Sequence, residues 1–214
     1  MVDTQESLYE QLYSLSTIAN QRFVENFSGD SLDTDRWNQR NITGTGTFAM
    51  VDEVDEGFSV TCANVSSANS GIDFNNKRQF AHNGSECIAV VKHITSSGRH
   101  FYRVGLERDA PTQSQGLSLL SYDSIDSNYK HYTMNSSSSS TFTDTGFAHT
   151  TDWFNTKITL SSSNSELYVN GELKTTVTAT LPSNNLQPSF ISASASGNSV
   201  THEARIKYME CYNT

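Results

Sequence analysis

The stretch from Trp153 to Thr180, WFNTKITLSSSNSELYVNGELKTTVTAT, constrains the fold more than any other part of the chain. Successive side chains of a strand point to opposite faces, so Ile158 and Leu160, then Leu167 and Val169, fill one face while Lys157, Thr159 and Glu166 meet water. A serine-rich turn joins the two runs. Asn170-Gly171 breaks the second into a further hairpin, because Asn-Gly supplies the positive φ angles that a two-residue turn requires. Such a meander is antiparallel sheet, which sets an all-β class before any chemistry enters.

The length of 214 residues suits one β-sandwich with a short appendage. Only 35% of residues are hydrophobic, and Ser, Thr and Asn crowd the remainder, as short strands with wet outer faces and many turns demand. Aromatic and β-branched residues recur at strand spacing throughout, which argues against disorder. A formal charge of −9 with no cluster of Lys and Arg excludes a nucleic-acid surface and serves solubility instead. No apolar run could span a bilayer, so no membrane partner is expected, and the N-terminus lacks the basic-then-apolar order of a secretory signal. Synthesis in a reducing cytoplasm is therefore expected. Cys62, Cys87 and Cys211 cannot all pair within the chain and lack zinc spacing; Cys62 and Cys87, in apolar strand contexts, read as buried free thiols. The sequons at Asn26, Asn41, Asn64, Asn83 and Asn135 follow from composition alone.

Residues 3 to about 25 carry the one helical pattern: Asp3 and Glu6 form a capping box, and Leu8, Leu12, Leu15 and Ile18 follow helical spacing, with Tyr9 widening the apolar arc. A helix of this length is marginal alone in water, so the stripe either caps its own sandwich or packs on another subunit. Assembly is the preferred reading. The expected domains are 1–25, an anchoring or oligomerisation helix, and 26–214, the sandwich. Thirteen strands are expected, roughly 46–51, 58–63, 70–74, 86–95, 99–107, 116–122, 129–134, 141–144, 154–161, 165–170, 173–179, 189–194 and 202–211. The pair 86–95 and 99–107, joined by Ser96-Ser97-Gly98, reads as a central hairpin in which Ile88, Val90, Phe101, Arg103 and Gly105 alternate with neighbours on the other face.

Taken in order, Phe27-Ser28-Gly29-Asp30-Ser31-Leu32-Asp33 leading to Trp37, Tyr102-Arg103-Val104-Gly105-Leu106, Trp153 with Lys157-Ile158, Tyr168-Val169-Asn170-Gly171 and the closing Ile206-Lys207-Tyr208-Met209-Glu210 resemble the concanavalin A-like lectin/glucanase superfamily, its laminin-G and laminarinase-like branches in particular. The resemblance runs from about residue 26 to the C-terminus. It implies a jelly roll of two antiparallel sheets, one concave, and places Trp37 and Trp153 inside the sandwich. A fold of this kind hosts glycosidases, lectins and structural modules, so function must come from a site. Laminarinase-like enzymes carry Glu-X-Asp-X-Glu on one strand, where i, i+4 positions bring a nucleophile and an acid onto one face. The nearest run here, Glu53-Val54-Asp55-Glu56-Gly57-Phe58, lacks the second glutamate, so no catalytic residue is expected.

The same acidic turn, Asp52, Glu53, Asp55 and Glu56, offers oxygens to calcium, with a solvated turn as the plainer explanation; no other cofactor is expected. His93, His100, His131, His149 and His202 have no spacing that gathers three at one site. Sugar binding needs aromatic faces and hydroxyl partners in a groove, and Tyr122, Asp123, Tyr129, His131 and Tyr132 form the best local cluster, with cross-strand packing as the plainer explanation. Ser/Thr/Asn-rich sandwiches without a signal also resemble appended structural proteins of bacteriophage heads and tails. Two functions are thus expected. One is a non-catalytic virion module, anchored through its helix to further copies of itself or to a capsid or tail protein and carried on the virion surface. The other is a lectin-like module for a surface polysaccharide.

Overall fold

A computed structural model describes residues 21–44, 46–51, 57–63, 65, 68–94, 99–108, 116–194 and 202–214. The strands in chain order are β1 (Arg22–Glu25), β2 (Asn38–Thr43), β3 (Phe48–Met50), β4 (Phe58–Cys62), β5 (Asn69–Asp73), β6 (Gly84–His93), β7 (His100–Glu107), β8 (Leu117–Asp123), β9 (Asn128–Met134), β10 (Ser140–Ala148), β11 (Phe154–Ser161), β12 (Ser165–Val169), β13 (Glu172–Val177), β14 (Gln187–Ser194) and β15 (His202–Asn213). A back sheet runs β13-β12-β11-β6-β15-β4-β3, with β1 added along β15, and a front sheet runs β10-β9-β8-β7-β14-β5-β2. Every ladder is antiparallel, as the alternating sequence requires.

The β11-β12-β13 meander forms as its pattern dictates. Ile158, Leu160, Leu167 and Val169 are buried, and the Asn170-Gly171 turn takes φ of 50° and 82°. The interior lies between the sheets: Val60, Val91, Ile158 and Ile206 from the back meet Ile72, Tyr102, Val104, Leu106, Leu120 and Phe190 from the front, none more than 1% exposed. Each such side chain contributes about 1.5–3 kcal/mol on burial, against about 0–1 kcal/mol for an exposed ion pair such as Arg22–Glu210. Apolar filling, not surface charge, holds the sheets together. In β15 the register shifts between Ile206 and Tyr208, a bulge that resets the alternation so that Ile206 and Met209 both reach the core.

Four expectations need correction. The helical pattern ends short of residue 25, because Arg22–Glu25 is strand β1 and Phe23, opposite Cys211, packs its ring on Trp37 at 5.4 Å. The remainder of that pattern, with Leu8, Tyr9, Leu12, Leu15 and Ile18, lies outside the described residues. The expected hairpin of 86–95 with 99–107 does not exist: β6 pairs with β11 and β15 in the back sheet, and β7 with β8 and β14 in the front. Two adjacent alternating runs fit a crossover as well as a hairpin, and local spacing cannot tell them apart. Strand β2 was not anticipated, since NQRNIT has no apolar alternation and occupies the front sheet's edge. Finally, Trp37 is 1% exposed and buried as expected, but Trp153 is half-buried with the ammonium groups of Lys92 and Lys207 at 5.6 and 4.9 Å from its ring, so it is no interior residue.

Candidate functional site

Strand alternation divides the front sheet's side chains into an inner set and an outer set. Inward go Tyr102, Leu120, Tyr122, Tyr129 and His131; outward go Phe101, Arg103, Ser121, Asp123, Lys130, Tyr132 and Phe142 from β7, β8, β9 and β10. A groove of about 360 Å³ opens on this outer face, floored by Phe101, Arg103 and Ser121 and edged by Lys130 and Phe142. Tyr132 and Phe142, directly opposite on β9 and β10, stack at 4.0 Å with their planes 7° apart. Phe142 is 52% exposed, so the pair forms an aromatic ledge with one face toward solvent.

Charges are paired along the groove with one exception. Arg99 makes a two-pronged contact to Asp123, at 3.4 and 3.0 Å. Lys130 Nζ lies 2.9 Å from Asp144 and 3.7 Å from Asp126. Asp144 also accepts from the Gly146 amide and the Asn128 side chain, and these donors hold its carboxyl down at about 2. Arg103 packs on two rings, its guanidinium carbon 5.1 Å from the centre of Tyr132 and 5.2 Å from that of Phe101, and its Nε donates to Ser121 Oγ at 3.4 Å. Burial pulls its pKa below the ordinary arginine value, while Tyr132, Glu107 and Asp123 act in the opposite sense.

Outward carboxylates of the front sheet are Asp73 on β5, Glu107 on β7, Asp123 on β8 and Asp144 on β10, each on its own strand. Among the described residues, no strand of this sheet sets two carboxylates on its outer face. Asp73 is 1% exposed and paired with Arg40; burial raises its pKa, against the Arg40 charge and the Asn76 and Asn75 amides.

Of the five residues expected to bind sugar, Asp123 and Tyr132 lie on the outer face beside the groove. Tyr122, Tyr129 and His131 are 6%, 0% and 0% exposed and belong to the interior, so the five share adjacent strands but not one face. His131 is part of a buried hydrogen-bonded group: its Nε2 lies 3.1 Å from Ser118 Oγ and 3.0 Å from Ser165 Oγ, and its Nδ1 2.8 Å from Thr175 Oγ1. The sequence did not point to Phe101, Arg103 or Phe142 as one site. Their shared face depends on strand pairing, which no local spacing reveals. The acidic turn of Asp52, Glu53, Asp55 and Glu56 lies outside the described residues.

The interior also gathers histidines that sequence spacing left apart. His93 stacks on Tyr102 at 3.9 Å and lies 6.1 Å from His149; His100 lies 4.7 Å from His202; the Tyr129 hydroxyl is 2.7 Å from His93 Nδ1. His93, His100 and His202 come from β6, β7 and β15 and His149 from the segment after β10, so only the fold brings them together. Among the described residues no His, Cys, Asp or Glu group has metal-binding geometry. Burial brings the pKa of His202 down to about 4 and lowers those of His93 and His149 as well.

No family pattern matches the sequence, and no curated protein matches it. Solved structures do resemble the fold. A β-glucanase from Bacillus licheniformis shares 13% identity, covering 90% of this chain and 98% of its own, with a TM-score of 0.61. A family 7 alginate lyase in complex with its product shares 14%, covering 85% and 96%, with a TM-score of 0.58. A protein of unknown function from Shewanella oneidensis shares 15%, covering 95% and 93%, with a TM-score of 0.65. Identities this low carry the fold and not the chemistry. The architecture is a two-sheet jelly-roll sandwich whose fold is similar to that of these glucanase and lyase structures.

Proposed function

We propose that the chain is a non-catalytic carbohydrate-binding module whose ligand, a surface or environmental polysaccharide, lies in the outer groove of the front sheet. The observation that carries this reading is the stacked Tyr132–Phe142 ledge beside a groove floored by polar and charged groups. A ledge of this kind offers a flat apolar face to a sugar ring, and the charged floor offers partners to its hydroxyls. Several structural neighbours are named as enzymes acting on polysaccharides, which makes sugar the natural ligand class for this architecture. Among the described residues the outward carboxylates stand one to a strand, unlike the paired acids on one strand of the laminarinase-like pattern, which supports binding without cleavage. Affinity electrophoresis through gels carrying different polysaccharides tests it. Retardation of the wild-type chain by at least one polymer is expected, weakened about tenfold by Tyr132→Ala or Phe142→Ala. Retardation unchanged in both variants, or shortening of the polymer, contradicts it.

A second role belongs to the leading segment. The stripe of Leu8, Tyr9, Leu12, Leu15 and Ile18 needs a surface to cover it. Such an apolar stripe supports attachment through the segment to further copies of the chain or to a capsid or tail protein, with the sandwich facing outward as a virion module would.

A further inference from the structure

We propose that the groove selects an acidic polysaccharide, seating an anionic oxygen group, a uronate carboxylate or a sulfate ester, on the Arg103 guanidinium beside the Tyr132–Phe142 ledge. This rests on the carbohydrate-binding reading and names the ligand's chemistry. Three cations and two carboxylates line the groove, namely Arg99, Arg103 and Lys130 against Asp123 and Asp126, in a chain with 14 cations and 23 acids overall. Two of those cations are already engaged, Arg99 by Asp123 and Lys130 by Asp144 and Asp126. Arg103 has no carboxylate within ion-pair distance among the described residues; it holds only the Ser121 hydroxyl and two rings. Rings take up the faces of a guanidinium and leave its in-plane N–H fork, the geometry that matches a carboxylate or sulfate with two parallel hydrogen bonds. Glu107 and Asp123 act on it only from beyond ion-pair distance, and a partly buried cation so placed carries a desolvation cost that an arriving anion offsets. Neutral sugars would not offset it.

Titration calorimetry of the full chain against alginate, polygalacturonate, a sulfated galactan and neutral laminarin tests this. At least one anionic polymer should bind about tenfold or more tighter than laminarin, and Arg103→Gln should abolish that preference, with Arg103→Lys restoring part of it. Near-ultraviolet circular dichroism confirms that the variants are folded. A preference for the uronates assigns the carboxylate, and a preference for the galactan assigns the sulfate. Equal or tighter laminarin binding, insensitive to Arg103→Gln, overturns the anionic assignment and leaves the carbohydrate reading standing. Binding to none of the four overturns both.

A separate observation carries a second inference: the geometry points to Cys87 and Cys211 as a cross-strand disulfide site. The two are directly opposite in the β6–β15 register, 2% and 0% exposed, with their Sγ atoms 2.7 Å apart. A disulfide needs about 2.05 Å, within reach of a small side-chain adjustment. Both thiols are free as they stand, and Cys62 is the third. Burial raises the Cys211 thiol well above its ordinary value and closes it from solvent, so exchange belongs to the folding chain, before the sheets close. Glutathione disulfide supplies the oxidation. One cysteine thiolate displaces a glutathione to form a mixed disulfide, the second displaces the other, and two cysteine thiols are oxidised as one glutathione disulfide becomes two glutathiones. Refolding in a glutathione redox buffer should lower the intact mass by about 2 Da. Titratable thiols in denaturant should then fall from three to one, with a peptide map joining Cys87 to Cys211. Three remaining thiols, or a bond involving Cys62, would overturn the assignment.

Discussion

At the scale of single residues, the buried histidines set a pH dependence in the mildly acidic range. His131 is fully buried and bonded to three hydroxyls, and burial brings its pKa from 6.5 down to about 4. Between those values the unfolded chain takes up a proton that the folded chain refuses, so stability is complete above about pH 6.5 and drains away as the pH falls toward about 4. The loss from this residue alone is about 3 kcal/mol, and His93, His149 and His202, shifted in the same direction, add to it. Urea unfolding at about pH 7.5 and about pH 4.5 should show a lower midpoint in acid, with a smaller drop for His131→Gln; equal midpoints would contradict the burial of neutral rings. Of the residues that the sequence offered for a sugar site, Asp123 and Tyr132 lie on the outer face beside the groove. Tyr122, Tyr129 and His131 were misassigned because neighbours in sequence were grouped without the parity of the strand, which sends Tyr129 and His131 inward and Tyr132 outward.

At the scale of elements, alternation and turn chemistry made most strands legible, the β11-β12-β13 meander above all. Partnering was not legible. β6 and β7 have the same alternating texture whether they pair with each other or cross between sheets, and what decides is the apolar filling of the whole sandwich. β1 was hidden inside a helical periodicity, and β2 has no periodicity to find. The close fit between sheets shows at Gly105 on β7, whose φ is 147°; an added Cβ would sit 2.6 Å from Ile158 Cδ1 and 2.6 Å from the Ser118 carbonyl oxygen. Gly105→Ala should therefore cost about 2–4 kcal/mol, from a backbone angle that alanine resists and from crowding on β8 and β11. Thermal unfolding measures this, and a variant within about 0.5 kcal/mol of wild type would contradict the packing described here.

At the scale of the whole molecule, two surfaces with different roles are proposed, a leading apolar segment and an outward groove. Removing residues 1–20 leaves β1 and every described residue of the main core in place. The shortened chain should fold with an unchanged near-ultraviolet spectrum and should lose the oligomeric mass of the full chain in light scattering; identical masses would remove the assembly role. The groove is tested most directly by a two-dimensional NMR titration of the full chain with the oligosaccharide it retains best, followed by sizing of the recovered sugar. Shifts gathered on Phe101, Arg103, Tyr132 and Phe142 with the sugar unshortened are the expected result. Shifts confined to the back sheet, or a shortened sugar, would contradict a binding module built on the front face.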